Sequence, residues 1–198
     1  DDFRRGKPTN HKIFGEDIAL LAGDALLTEA FALLARFYRP SPQVGIEIIL
    51  RLAQASGVEG MVGGQALDIK NTPRDFVDAS QAQQMIREIH NRKTGALIAV
   101  SCEGAGLACG ATETELKALK EYGLKLGLAF QLADDVLDFY QSKPESTSFI
   151  NCTSLLETKK YLRTITDEGV NALKDFGVRK NEKMKKLIEF NWARCQDS

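Results

Sequence analysis

The five prolines of this chain, at positions 8, 40, 42, 73 and 144, limit where its helices can begin and end. Proline has no amide hydrogen and blocks a helix interior, so the proline-free stretch between 73 and 144 has room for two full helices. Apolar residues between the prolines recur every three to four residues, as in helices with a wide buried face. No segment shows a credible strand alternation or an Asn-Gly hairpin, and we therefore predict an all-α fold.

Individual helices follow from these patterns and from capping residues. Asp78 or Ser80 can cap a helix whose apolar stripe runs to Val100, and Thr112 with Glu115 forms a capping box for a helix that ends near Tyr140. The segment from Pro144 to Thr153 is polar and irregular. Further helices are predicted at Ile18 to Tyr38, Ile46 to Ala55, around Gln65 to Asp68, Leu155 to Phe176 and Glu182 to Trp192.

Composition narrows the possible functions. With 198 residues, 43% apolar and 27% charged, the chain can form one globular domain, and its net charge of −1 argues against nucleic-acid binding. Four cysteines without a CxxC pair and two distant histidines argue against a zinc site and fit reduced thiols in the cytoplasm. No apolar run approaches the roughly 18 residues of a membrane span, so we expect no stable membrane insertion.

A carboxylate cluster lies within the apolar helix predicted to end near Tyr140. Asp134, Asp135 and Asp138 form a DDxxD, in which Asp134 and Asp138 are one helical turn apart, and Gln131 lies one turn earlier. Two such charges about 4 Å apart repel by about 4 kcal/mol at an effective dielectric near 20, which a bound cation would relieve. Oxygen ligands in small number suit Mg²⁺, although an exposed acidic turn has the same sequence.

Two groups of basic residues complete the candidate site. Arg4 and Arg5, next to Gly6-Lys7-Pro8, could bind phosphate oxygens with their guanidinium groups, or could form a solvated surface cluster. Lys93, next to Thr94, could neutralise a leaving diphosphate, or could extend to water.

The motifs occur in one characteristic order. "DDFRRGKPTNHKIFGEDIALLAGDALLTEAF", "GMVGGQALDI", "HNRKTGALI" and "GLAFQLADDVLDF" cover residues 1 to about 140. In this order they resemble the trans-type prenyl diphosphate synthases, and are most similar to bacterial farnesyl diphosphate synthases. The resemblance implies the isoprenoid synthase fold, a bundle of long antiparallel helices around a central cleft, within a single domain over residues 1–198. It also implies a homodimer.

The same resemblance implies roles for particular residues. Two aspartate-rich motifs of the family hold Mg²⁺ on the allylic diphosphate; the second is Asp134, Asp135 and Asp138, while Asp1 and Asp2 match only the trailing aspartates of the first. We therefore expect helices upstream of residue 1. Substrate-binding roles fall on Arg4, Arg5, Lys93, Thr94, Phe130 and Gln131, of which Arg4, Arg5 and Lys93 are also assigned to catalysis.

The implied reaction condenses isopentenyl diphosphate with an allylic diphosphate by ionisation, condensation and loss of a proton. No general base is assigned, because the released diphosphate takes the proton in this family. Asp24, Asp68 and His90 are weaker candidates. One departure is that only four residues separate Asp138 from Lys143, where the family has a longer loop. Either the loop is shorter in this chain or residues are missing near 140–145, and we expect the latter. Lys143 is assigned to substrate binding as one of that loop's lysines.

Alternatives remain open at this point. A non-catalytic partner subunit of the same fold would lack activity of its own, and a helical scaffold would bind no diphosphate. A terpene cyclase is disfavoured, because the RRGKPT motif belongs to chain-elongating enzymes. Geranyl, farnesyl and geranylgeranyl products are all compatible with the sequence, and farnesyl diphosphate is the expected one.

Overall fold

A computed structural model describes residues 2–71, 78–141, 147–174, 176 and 178–196, the last range with backbone alone at 178–180. The chain divides into two compact units, Asp1–Ile49 and Leu50–Ser198. The single domain predicted over residues 1–198 stays a prediction. The helices of the chain are α1 (Asn10–Phe14), α2 (Glu16–Phe37), α3 (Pro42–Ser56), α4 (Met61–Lys70), α5 (Ala79–His90), α6 (Ala96–Ala108), α7 (Glu113–Tyr140), α8 (Leu155–Ala172) and α9 (Val178–Ala193).

The first unit opens with a small hairpin that we did not predict. Strands β1 (Phe3–Arg4) and β2 (Lys7–Pro8) pair antiparallel, with Arg4 opposite Lys7. Both central residues of the turn have positive φ, 52° at Arg5 and 74° at Gly6. This backbone is that of the tight hairpin turns usually made by Asn-Gly, and here Arg-Gly makes one, which is why the expected signal was missing.

Helix α2 is apolar and exposed. None of its residues is fully buried, and its exposed large apolar side chains include Leu20, Leu26 and Phe37. Among the described residues it is the one helix that could cross a membrane by length and composition, with a mean hydropathy of 1.8. This corrects the expectation that no apolar run approaches that length. One such helix is weak evidence for a membrane, because core helices of soluble proteins and signal sequences pass the same test.

The second unit is built around α7. Its N-terminus has the predicted capping box: the Glu115 carboxylate accepts from the Thr112 amide at 2.8 Å, and Thr112 Oγ1 accepts from the Glu115 amide at 3.3 Å. The helix packs against both α6 and α8. Its fully buried residues Leu132, Ala133 and Val136 lie in a core shared with α5, α8 and α9, to which Ile86, Leu162, Ile165 and Ile188 contribute.

The predicted all-α class is confirmed, and two local features of the second unit were not anticipated. The helix expected to continue to Val100 is interrupted by a π turn at Asn91–Gly95, between α5 and α6. Part of the segment expected to be irregular forms a 3₁₀ turn at Phe149–Cys152. Asp78 is the cap of α5, as predicted, and accepts from the Gln81 amide at 2.8 Å.

Candidate active site

Glycines allow three segments of the second unit to approach at the level of the backbone. A Cβ at Gly64 in α4 would lie 2.3 Å from the Lys93 amide nitrogen, and one at Gly127 in α7 would lie 2.6 Å from Gly95 Cα. Side chains of any size at these positions would push α4 and α7 away from the π turn. The two glycines therefore set the distance at which Lys93 and Thr94 meet residues of α4 and α7.

Lys93 is held by a carboxylate of α4. Its Nζ lies 2.6 Å from Asp68 Oδ2, and Asp68 Oδ1 accepts from Thr147 Oγ1 at 2.6 Å. Burial by itself would raise the pKa of Asp68, but the hydrogen bonds from Lys93 and Thr147 outweigh it and hold the pKa below its ordinary value. Asp68 is therefore ionised at neutral pH. Because an ammonium group has three donors and Lys93 is 30% exposed, it can still donate to a ligand.

Thr94 joins the π turn to α7. Its Oγ1 donates to Gln131 Oε1 at 3.1 Å. Gln131, Asp134 and Asp138 are spaced three and four residues apart and so share one stripe of α7. The predicted residues Lys93, Thr94 and Gln131 are thus linked, through this hydrogen bond, to the helix face that carries the acidic motif. π turns inside helices are frequent at functional sites.

The three aspartates of the DDxxD motif do not have the same surroundings. Asp134 is 32% exposed and pairs with Arg194, whose Nη2 lies 2.7 Å from Asp134 Oδ1. Burial raises the pKa of Asp134 although Arg194 opposes the shift. Asp138 is half-buried.

Asp135 lies on another side of the helix. It is 8% exposed, and its Oδ2 accepts from the Phe149 amide at 2.8 Å, at the start of the 3₁₀ turn. A buried carboxylate that satisfies a backbone amide has a structural role. This position favours a structural role for Asp135, whose metal role stays a prediction, and makes Asp134 and Asp138 the more accessible candidate ligands.

The two remaining carboxylates suit Mg²⁺ by chemistry and number. Within the ranges that the structure describes, no group of three or more His, Cys, Asp or Glu side chains could hold a metal ion. Mg²⁺ is commonly bound by only one or two carboxylates, with water and substrate phosphate oxygens as its other ligands. The donor set therefore fits an ion that arrives with a diphosphate rather than one held by a protein cage.

His90, a weaker candidate, is buried near Asp68 and Lys93. It is 5% exposed, and its Nδ1 has no hydrogen-bond partner among the described residues. Burial lowers its pKa to about 4, partly opposed by the charge of Asp68. The ring is therefore neutral at physiological pH and packs as an uncharged side chain at the end of α5.

The other predicted residues have different positions. Arg4 and Arg5 lie in the exposed hairpin of the first unit, and their roles stay predictions. Phe130 is 39% exposed and lies under the Arg194 guanidinium, with 5.5 Å between the guanidinium carbon and the ring centre. Asp24 is an exposed residue of α2. Lys143 lies outside the described residues.

Two contributors were missed by sequence reasoning. Arg194 and Thr147 are 60 and 79 residues from their respective partners Asp134 and Asp68, and neither belongs to a local motif. In the sequence, Arg194 is marked only by being a basic residue directly after α9, where it could pair with the acidic motif.

Comparison with known proteins identifies the class. A polyprenyl synthetase family model matches residues 1–166. The farnesyl diphosphate synthase of Geobacillus stearothermophilus is 45% identical over 140 residues, 70% of this chain and 46% of that protein. The chloroplastic geranylgeranyl pyrophosphate synthase of Capsicum annuum is 36% identical over 192 residues, 96% of this chain and 50% of that protein.

Solved structures agree with the sequence comparison. An apo FPP/GFPP synthase from Zymomonas mobilis superposes with a TM-score of 0.85 at 32% identity, over 96% of this chain and 66% of that one. The chain thus has the all-helical fold of prenyl synthases, and it belongs to the polyprenyl synthetase family. It spans about half the length of the two relatives named above.

Proposed function

We propose that the protein is a chain-elongating prenyltransferase that condenses isopentenyl diphosphate with dimethylallyl or geranyl diphosphate to give farnesyl diphosphate. The observation that carries the proposal is the Thr94–Gln131 hydrogen bond of 3.1 Å. It ties the Lys93–Thr94 turn to the stripe of α7 with Asp134 and Asp138, so that cationic, polar and acidic groups belong to one set of packed helices.

The reaction begins when the allylic carbon–oxygen bond breaks and its electron pair leaves with the diphosphate. Lys93, fixed by Asp68, donates hydrogen bonds to the departing diphosphate, and Thr94 and Gln131 bind beside it. Asp134 and Asp138 would hold Mg²⁺, which would supply electrostatic stabilisation of the same negative charge. Arg4 and Arg5 are assigned to the allylic and isopentenyl diphosphates, respectively.

Condensation then joins the allylic carbon to the double bond of isopentenyl diphosphate. The new carbocation loses a proton, which the released diphosphate accepts, so that no side-chain base is required. Apolar residues along α7, with Phe130 at the site, shield the cation from water until the carbon–carbon bond has formed. The products are the elongated allylic diphosphate and inorganic diphosphate.

Product analysis tests the proposal directly. Purified protein is incubated with labelled isopentenyl diphosphate, dimethylallyl or geranyl diphosphate and Mg²⁺, and the chain length of the product is determined by chromatography. A 15-carbon product is expected, and the Asp134→Asn variant serves as the inactive control. Twenty-carbon product would favour a geranylgeranyl diphosphate synthase, an alternative supported by the similarity to the Capsicum annuum enzyme.

Two negative outcomes have different meanings. Calorimetric binding of an allylic diphosphate with Mg²⁺, but no product, would favour a non-catalytic partner subunit. Absence of both binding and product would favour a helical scaffold and overturn the proposal.

A homodimer and a cytoplasmic location are part of this proposal. The exposed apolar side chains of α2 support association with a second copy, since surfaces of this kind mark interaction sites. Sedimentation velocity should show a dimer, and Leu20→Lys with Leu26→Glu should shift it toward monomer. All four cysteines are free, which fits a reducing compartment.

A further inference from the structure

Arg194 covers one turn of the helix that carries the acidic motif. Its Nη2 lies 2.7 Å from Asp134 Oδ1, and its guanidinium carbon lies 5.5 Å from the centre of the Phe130 ring. Phe130 and Asp134 are four residues apart on α7 and therefore neighbours on one face. A single arginine thus contacts both an aromatic ring and a carboxylate of the candidate active site.

The end of α9 is fixed where this contact is made. Cys195 is fully buried, its Sγ lies 3.7 Å from the Ala133 carbonyl oxygen, and its own carbonyl accepts from Lys159 Nζ at 3.0 Å. Trp192 lies under the Arg163 guanidinium at 5.7 Å. A surface arginine loses side-chain entropy when it forms an ion pair, and this loss offsets most of the electrostatic gain. Arg194 differs, because its neighbouring residues are already held in place.

The electrostatic consequence concerns any cation that binds to the same carboxylate. Asp134 and Asp138 carry like charges one turn apart, and the guanidinium group compensates one of them in the absence of metal. A divalent cation at Asp134 would have a positive charge beside it, at a half-buried position where repulsion is stronger than in bulk water. Metal and arginine therefore oppose each other at one carboxylate.

We propose that Arg194 is the resident counter-ion of Asp134 and that Mg²⁺ binds there in competition with it, which couples metal binding to the end of the C-terminal helix. The inference rests on the proposed function, because it takes Asp134 as a metal ligand. It makes Arg194 a positioning residue of the candidate active site. When metal is bound, the guanidinium group is released from Asp134 and α9 loses one of its attachments to α7.

Mg²⁺ binding to the purified protein without substrates tests the proposal. Calorimetry should show that Arg194→Gln, which removes the charge but keeps a polar side chain, binds Mg²⁺ at least about fivefold more tightly than the wild type. The variant should also unfold at a lower temperature in EDTA, and Mg²⁺ should raise its unfolding temperature more than that of the wild type. Arg194→Lys, which keeps the charge, should restore most of the wild-type behaviour.

Arg163→Gln is the matched control. It removes another arginine that contacts α9 through an aromatic ring, but one that pairs with Asp167 on α8. Its Mg²⁺ affinity should equal that of the wild type. In an Asp134→Asn background, Arg194→Gln should no longer change Mg²⁺ binding.

Equal or weaker Mg²⁺ binding by Arg194→Gln, including no binding by either protein, would overturn the counter-ion role. If Arg194→Gln does not fold, Arg194→Lys decides the question, since its weaker pairing geometry should tighten Mg²⁺ binding by roughly twofold, and no change would count against the proposal. Failure of the proposed function is separate, because it is measured as absence of product from allylic and isopentenyl diphosphates.

Discussion

The ammonium nitrogen of Lys93 lies 2.6 Å from a carboxylate oxygen of Asp68, although the two residues belong to different helical segments. This pair fixes the one lysine of the π turn, and Thr147 fixes the carboxylate in turn. From sequence alone Asp68 was one of the weaker candidates, whereas its contacts make it the residue that positions Lys93.

Asp68→Asn should therefore lower kcat/KM by on the order of 10- to 100-fold, because Lys93 would lose the charge that orients its ammonium group. Steady-state kinetics with allylic and isopentenyl diphosphates measure this. Glu88→Gln is the control, since it breaks the exposed Glu88–Arg92 pair on the neighbouring turn. Equal kinetics for Asp68→Asn and the wild type would remove Asp68 from the site.

Asp134 and Asp135 should respond to substitution in opposite ways. Asp134→Ala should reduce turnover by on the order of 100- to 1000-fold, because the diphosphate loses electrostatic stabilisation. It should lower the free energy of unfolding by less than Asp135→Ala does, through the loss of the pair with Arg194. Asp135→Ala should cost about 1–3 kcal/mol of stability, because the Phe149 amide would lose its buried acceptor.

Turnover assays and urea unfolding of both variants separate these effects. Asp167→Ala, which removes one partner of an exposed pair on α8, controls for the loss of a carboxylate as such. Near-normal turnover of Asp134→Ala would contradict the metal role, and a stable but inactive Asp135→Ala would return Asp135 to the set of metal ligands.

Local rules were sufficient for most of the helices, but α1 (Asn10–Phe14) was not predicted, and such rules contain no long-range contacts. The Thr112–Glu115 box and the Asp78 cap were predictable because each involves residues three positions apart. The hairpin at Arg5-Gly6 was missed, because arginine is an uncommon residue at positive φ. The π turn was missed as well, because the residue that it adds falls in the polar stretch Asn91–Thr94, where no apolar side chain marks the change of register.

The candidate site was predictable as a set of residues but not as a set of contacts. Motif order identified Lys93, Thr94, Gln131 and Asp134, but the partners of Lys93 and Asp134 lie 25 and 60 residues away. Spacing along α7 predicted that Asp134 and Asp138 share a face. It could not show that Asp135 faces the backbone at Phe149, because that contact depends on where the chain returns after α7.

Close approach at Gly127 gives a prediction about stability. A methyl group there would lie 2.6 Å from Gly95 Cα, and neither backbone can move aside cheaply, so Gly127→Ala should destabilise the protein by about 1–3 kcal/mol. It should also lower kcat, because α7 and the π turn would separate at the Thr94–Gln131 contact. Thermal unfolding and kinetics measure the two effects.

Gly23→Ala is the opposite case. Gly23 lies within α2, and a Cβ there would meet no atom of the described residues within 4 Å, so alanine should stabilise the helix by up to about 1 kcal/mol. Destabilisation by Gly23→Ala, or no effect of Gly127→Ala, would contradict the packing described above.

Burial of His90 makes stability depend on pH. Its pKa falls from 6.5 to about 4 in the folded protein, where the carboxylate of Asp68 favours the charged ring, while burial and Lys93 disfavour it. In the unfolded chain the His90 ring is protonated below about pH 6.5, whereas in the folded protein it is protonated only below about pH 4. The free energy of unfolding should therefore decrease as pH falls through this interval, by up to about 3 kcal/mol from this residue.

Urea unfolding of the wild type and His90→Gln between pH 7.5 and 4 isolates this contribution, because other titrating groups are common to both proteins. The wild type should lose more stability on acidification than the variant, and the difference should develop below pH 6.5. A parallel loss in His90→Gln and the wild type would mean that the ring takes up its proton without leaving the folded state, and that its burial is less complete than the packing of α5 indicates.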